Sequence, residues 1–150
     1  MAKDDHINQQ ILRELTLDGR VSNLELAERI GLSPSACLRR VQELERDGVI
    51  TGYRAVLDRQ ALGVGFVTYI GVGLSEHSKA AQEGFERAMQ AAPEVVECHN
   101  ITGTIEYLLR VECADLPSYK KFHTDVLGVT PHVNALTTYV VMGSPKDLRN

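Results

Sequence analysis

Residues 31–50 read GLSPSACLRRVQELERDGVI, with an arginine pair near the middle. The stretch opens with the signals of a helix start. Ser33 offers a side-chain oxygen to the free backbone N–H groups, and Pro34 fills the first helical position, where its missing N–H costs nothing. The helix should run to about Arg46 and stop before Asp47-Gly48. Turning roughly 100° per residue gathers Pro34, Cys37, Val41 and Leu44 on one face, with Leu38 at its edge. The other side presents Ser35, Ala36, Arg39, Glu43 and Arg46, while Arg40 lies at the border beside Leu44.

This face has the chemistry of a helix that enters a major groove. Small side chains allow close approach, a hydroxyl and the helix N-terminus hold phosphate, and an arginine reaches guanine O6 and N7. Ser33, Pro34, Ser35, Ala36, Arg39, Arg40 and Arg46 are therefore the expected contacts to duplex DNA. Arg39 is the expected base reader; Arg40 grips phosphate or braces the fold. The plainer account is a solvated face whose arginines pair with Glu43 and Glu45.

The residues upstream favour the DNA reading. Ile7, Ile11, Leu12 and Leu15 form one apolar stripe, closed by Gly19. Ser22 stands three residues before Glu25, the spacing of a capping box with reciprocal bonds. That second helix buries Leu24, Ala27 and Ile30, and Gly31 can take the left-handed conformation that ends it. Two helices meeting at a small residue and joined by a glycine turn make a helix-turn-helix. The segment VITGYRAVLD that follows is β-prone and should form a short strand or wing leading into a linker.

From residue 64 the period changes. The pattern predicts strand 64–74, helix 77–91, strand 95–102, strand 105–113, helix 116–127 and strand 133–142. The order βαββαβ is that of a ferredoxin-like domain, an antiparallel sheet with helices on one face. Phe85, Ala88 and Met89, and Tyr119, Phe122 and Val126, form the helices' apolar stripes. The fold class is thus α+β, with a winged helix-turn-helix over 1–60 and a ferredoxin-like domain over 61–150.

The 150 residues carry a net charge of −4, split as −1 over residues 1–60 and −3 over the remainder. Eight of the nine basic residues in the first part are arginine, the side chain suited to bidentate phosphate and guanine contacts. Such a chain is not built to coat nucleic acid indiscriminately; affinity must come from where the arginines point. The apolar run 63–74 is too short and glycine-broken to span a bilayer. MAKDDHINQQ lacks the apolar core of a secretory leader. The three cysteines (Cys37, Cys98, Cys113) are an odd number at wide spacing, fitting buried thiols in a cytoplasmic protein. Cys98 and His99 are adjacent in a strand and point to opposite faces, so with Cys113 and His123 they make no metal site. No phosphate loop or nucleophile motif is present, so neither an enzyme nor a cofactor is expected.

Taken together, ILRELTLDGRVSNLELAERIGLSPSACLRRVQELERDGVITGYRAVLD, PEVVECHNITG, EYLLRV and TYVVM resemble the Lrp/AsnC (feast/famine) transcriptional regulators, from about Asp5 to Met142. The resemblance implies a winged helix-turn-helix and a ferredoxin-like domain that senses small molecules, often amino acids. It also implies homodimers that pair through their sheets and assemble into tetramers or octamers. The family's effector loop, Gly-Asp-X-Asp-Tyr, stands here as Gly103, Thr104, Ile105, Glu106 and Tyr107. Thr104 replaces the first acid outright and Glu106 replaces the second conservatively. The glycine turn could hold a carboxylate on backbone N–H groups, and Glu106 an amino group; the same residues also suit a plain hairpin turn. Thr137, Thr138 and Tyr139 sit where the family places the start of the last strand, near a neighbouring subunit's effector site. A sheet-facing polar row explains them equally. The family's Leu-Pro-Gly-Val before that strand is Thr130 to Val133, TPHV, here. The resulting expectation is a DNA-binding regulator tuned by a small metabolite. An architectural DNA protein without an effector, or a sensing module that docks a protein, are the alternatives.

Overall fold

The computed structural model describes residues 6–147. It divides between Ala55 and Val56 into two compact units.

The first unit holds α1 (His6–Leu17), α2 (Asn23–Ile30) and α3 (Pro34–Arg46). Ile11, Leu26, Ala27, Cys37 and Leu44 form its buried core, ringed by Ile7, Leu15, Ile30 and Val41. Ser22 and Ser33 cap their helices, accepting from Glu25 N at 3.2 Å and Ala36 N at 3.3 Å. Gly31, at φ 69°, ends α2 in the left-handed conformation that glycine adopts without strain. The return bond of the capping box is replaced. Glu25 turns instead to Arg29, 2.6 Å away, which also meets Glu14 at 3.1 Å.

Three further expectations for this unit fail. Leu24 is 59% exposed, because the inward face of α2 centres on Leu26, Ala27 and Ile30, roughly 110° away from it. Pro34 is exposed, since the first turn of α3 projects beyond the core. The strand expected within 49–58 is not formed: 51–58 has no regular structure. A lone extended segment has nothing in its own unit to pair with. Its start is used for packing instead, with Val49 and Ile50 N–H groups donating to Leu44 O at 2.9 and 3.1 Å.

The second unit contains β1 (Phe66–Leu74), α4 (Lys79–Ala91), β2 (Val95–Asn100), β3 (Tyr107–Cys113), α5 (Leu116–Asp125) and β4 (Val133–Val140). The antiparallel sheet has the order β2-β3-β1-β4, which is the expected ferredoxin-like arrangement. In the register, Ile70 lies between Leu109 and Thr138. Every second residue therefore faces the helices, and Ile70, Val72, Leu109 and Val111 pack with Phe85, Met89, Tyr119 and Phe122. The outer face carries charge: Arg110 meets Glu112 at 3.2 Å and Arg59 meets Glu112 at 3.4 Å. Cys37 and Cys113 are buried and Cys98 half-buried; desolvation pushes all three thiols up, which keeps them protonated.

Two local features carry testable consequences. His132, just before β4, is the one non-glycine residue with positive φ among the described residues, at 67°. Its Nδ1 lies 3.4 Å from Glu76 Oε2, an exposed pair worth little in water. His132→Gly should raise stability by a few tenths to about 1 kcal/mol, read by thermal unfolding, because relief of backbone strain outweighs that pair. Asp115 caps α5, accepting from Ser118 N at 2.8 Å. Hydrogen bonding from the Ser118 side chain, then from its backbone, holds this carboxyl below its ordinary range. A depressed acid stabilises the fold above its unfolded value and loses that contribution as pH falls through the folded one. Asp115→Asn keeps the cap and should flatten the acid limb of melting temperature against pH.

Candidate nucleic-acid interface and effector loop

Helix α3 sorts its polar residues by position. Ser33, Pro34, Ser35 and Arg39 are exposed over its first two turns, and Ala36 is half-buried beside them. The two serine hydroxyls lie 3.4 Å apart. Asn23 donates to Pro34 O at 2.8 Å and ties the start of α2 to the start of α3, a role the sequence did not announce. Arg39 has no ion-pair partner among the described residues. Arg40 is committed: its Nη1 donates to Asn8 Oδ1 at 3.0 Å, and Asn8 is buried. Of the two roles expected for Arg40, this geometry serves the brace. Arg46 lies on the same side as Arg39 but about two turns on, with its Nε 3.5 Å from Asp47. The small residues and Arg39 thus form one surface at the N-terminal end, and Arg46 stands apart from it.

The residues expected to form the effector loop make a hairpin connection between β2 and β3. Ile101 N donates to Glu106 O at 2.9 Å, and the Asn100 amide reaches the same carbonyl at 3.3 Å. Gly103, at φ 130°, and Thr104 are exposed at the tip. Ile105 folds back over β1: a Cβ on Gly71 would come within 2.6 Å of its Cδ1, so any other residue there would push the end of that side chain aside. Glu106 lies alongside Gly73 and has both oxygens occupied. Oε2 accepts from Leu74 N at 2.7 Å, and Oε1 lies 3.2 Å from His77 Nδ1. Tyr107 is buried in the core and donates to Glu86 at 2.7 Å. Burial, then this bond, pushes the phenol up to about 12, so it remains a donor at neutral pH.

The three β4 residues separate. They stand in the second half of β4, not at its start. Thr137 pairs with Gly71, the residue that Ile105 covers. Thr138 turns to the helix layer, its hydroxyl 2.6 Å from that of Tyr119. Tyr139 points outward two positions further along, opposite Tyr69. Alternation in a strand forbids all three from sharing one site. Cys98 likewise packs towards the core while His99 pairs with Glu97 at 3.3 Å. The sequence reading missed Gly71, Gly73 and His77 as partners of the loop. The paired glycines in IGVG were its only signal; nothing local marked His77.

Comparison with known proteins agrees with this geometry. Residues 4–51 match the family described as winged helix-turn-helix DNA-binding, and residues 67–150 match the Lrp/AsnC ligand binding domain. The leucine-responsive regulatory protein of Escherichia coli K12 is 41% identical over 142 residues, covering 95% of this chain and 87% of that protein. A transcriptional regulator of Neisseria meningitidis, solved as its L-Met complex, superposes with a TM-score of 0.91 at 34% identity, covering 95% of this chain and 92% of that one. The feast or famine regulatory protein of M. tuberculosis, complexed with L-methionine, gives 0.82 at 28% identity, with 97% of both chains covered. No helix among the described residues is long and apolar enough to cross a membrane.

The two arginines should respond differently to truncation. Arg39→Ala should weaken operator binding by about 10- to 100-fold, in line with roughly 1–3 kcal/mol for a base contact, at unchanged melting temperature. Arg40→Ala should lower stability by about 1 kcal/mol or more through the lost bond to buried Asn8. Mobility-shift titration and thermal unfolding of both variants check the division.

Proposed function

The chain belongs to the Lrp/AsnC family of DNA-binding regulators with a ligand-binding domain, and we propose that it is a cytoplasmic, amino-acid-responsive transcription factor that catalyses no reaction of its own. Its DNA-reading part ends by residue 60 and its sensing part follows. The chain works as a homodimer that assembles further, to tetramers or octamers. Dimers place two copies of α3 in successive major grooves of a pseudo-palindromic operator. Ser33, Pro34, Ser35 and Ala36 allow the approach to the phosphates, Arg39 reads a base, Arg40 holds the helix on α1 and Arg46 adds a peripheral charge.

The effector enters at Gly103. Exposed backbone at Gly103 and Thr104, with half-buried Ile105 beside it, meets its carboxylate, and Glu106 meets its ammonium. Thr137 lies beside Ile105, and Tyr139, on the same outer face, contributes from a neighbouring copy; Thr138, turned to Tyr119, steadies the strand between them. The observation that carries this reading is Glu106, a carboxylate fixed at the base of an exposed glycine turn by Leu74 N–H. The L-methionine complexes of the relatives from Neisseria meningitidis and M. tuberculosis support the ligand class.

Melting temperature should be measured against each common amino acid at millimolar concentration. A ligand at 100 times its dissociation constant adds roughly 2.7 kcal/mol when it binds only the folded state. A selective upward shift that Glu106→Gln abolishes is the expected result. A flat response across the set would sink the effector reading and favour the architectural alternative.

A further inference from the structure

We propose that Asn23 is the positioning residue of the DNA-reading helix. Its amide fixes the angle at which the first turn of α3 lies against α2, and so decides whether Arg39 reaches a base. This inference rests on Arg39 as the base reader and adds a residue that acts through it.

The two helices are packed unevenly. Leu26 and Ala27 of α2 share a buried core with Cys37 and Leu44 of α3, and Val41 packs against it. None of these α3 positions precedes Cys37. Ser33, Pro34 and Ser35 are exposed and Ala36 is half-buried. Apolar packing therefore holds the body of α3 and leaves its start to polar contacts. Ser33 serves α3 itself, accepting from Ala36 N at 3.3 Å and lying 3.4 Å from the Ser35 hydroxyl. Asn23 reaches across from α2, its Nδ2 donating to Pro34 O at 2.8 Å.

The place of Asn23 in α2 suits this bond. It is the first residue of the helix, and Ala27 stands one turn later on the same face. Ala27 is fully buried and has nothing beyond Cβ to keep the helices apart. The small residue sets the distance between them and the amide sets the angle. The Pro34 carbonyl has two lone pairs, so it can serve its own helix and Asn23 together.

Stability does not account for an asparagine here. Asn23 Oδ1 is enclosed, with no hydrogen-bond partner among the described residues. An orphaned buried acceptor costs about as much as one neutral hydrogen bond returns. An apolar side chain of the same size would serve the core equally, but without the directional bond to Pro34. Direction is what a base contact needs, because guanine O6 and N7 accept a guanidinium in one plane. Tilting α3 about its packed body moves Arg39 out of that plane. Contacts to phosphate, which depend on charge more than on direction, survive the tilt.

The test uses the full chain, a duplex selected from random DNA by the wild-type protein, and a shuffled duplex of the same length. The ratio of the two affinities is measured by mobility shift, alongside melting temperature. Asn23→Leu should lower the ratio about three- to tenfold, part of what a whole base contact supplies. Binding to the shuffled duplex and the melting temperature should stay as in wild type. Asn23→Asp, equal in size, loses the donor but suits the start of a helix, and it keeps the comparison available where Leu perturbs folding. Its added charge weakens both duplexes alike and cancels in the ratio, which should fall as it does with Leu. In an Arg39→Ala background either substitution should change the ratio little further, because the two residues act on one contact. A ratio unchanged in Asn23→Leu, or lowered by the same factor with and without Arg39, overturns the positioning role. So does a loss that appears equally on the shuffled duplex. An Arg39→Ala protein with the wild-type ratio overturns Arg39 as base reader, and this inference with it.

Discussion

Strand β1 must satisfy two surfaces with one alternating sequence, and the sensing domain depends on how it does so. Ile70 and Val72 point into the helix layer, where they are fully buried. The intervening positions on the outer face are Gly71 and Gly73. The absence of side chains there lets the hairpin fold down, with Ile105 over Gly71 and Glu106 beside Gly73. A slip of one residue in the β1–β3 register would turn the glycines inward and leave the loop without a seat. Core packing and loop placement are thus consequences of the same alternation. The period-2 rule also disperses Thr137, Thr138 and Tyr139, sending the middle one to Tyr119 and its neighbours outward.

The helical unit solves a different problem, presenting positive charge from a chain that is acidic overall. Three of its arginines are engaged locally. Arg29 is clamped by Glu14 and Glu25, Arg40 by Asn8, and Arg46 lies against Asp47. Arg39 stands out beside the small residues at the start of α3, where the free N–H groups of the helix add partial positive charge. Affinity for a polyanion then depends on geometry more than on net charge, and its salt dependence should reflect few phosphate contacts per copy. The outer face of the sheet follows the same economy, with Arg110 enclosed by Glu112 at 3.2 Å, Glu97 at 3.8 Å and Asp147 at 3.9 Å. Charges buried this far persist only when they are paired.

What the sequence determined by itself was whatever local chemistry dictates. Ser22, Ser33 and Gly31 marked helix ends because caps act within three or four residues. The change from a helical to a two-residue period marked the sheet, and the order of elements was enough for the ferredoxin-like topology. Leu24, Pro34 and the strand expected within 49–58 were misread because burial and strand pairing depend on what lies opposite, which no local pattern records. The tertiary structure alone decided the partners of the candidate sites. It set Arg40 against Asn8, Ile105 into the notch at Gly71, Thr138 against Tyr119, and His77 on Glu106. Each of these joins residues far apart in the chain, and side-chain contacts at such separations are fixed by packing and register rather than by propensity.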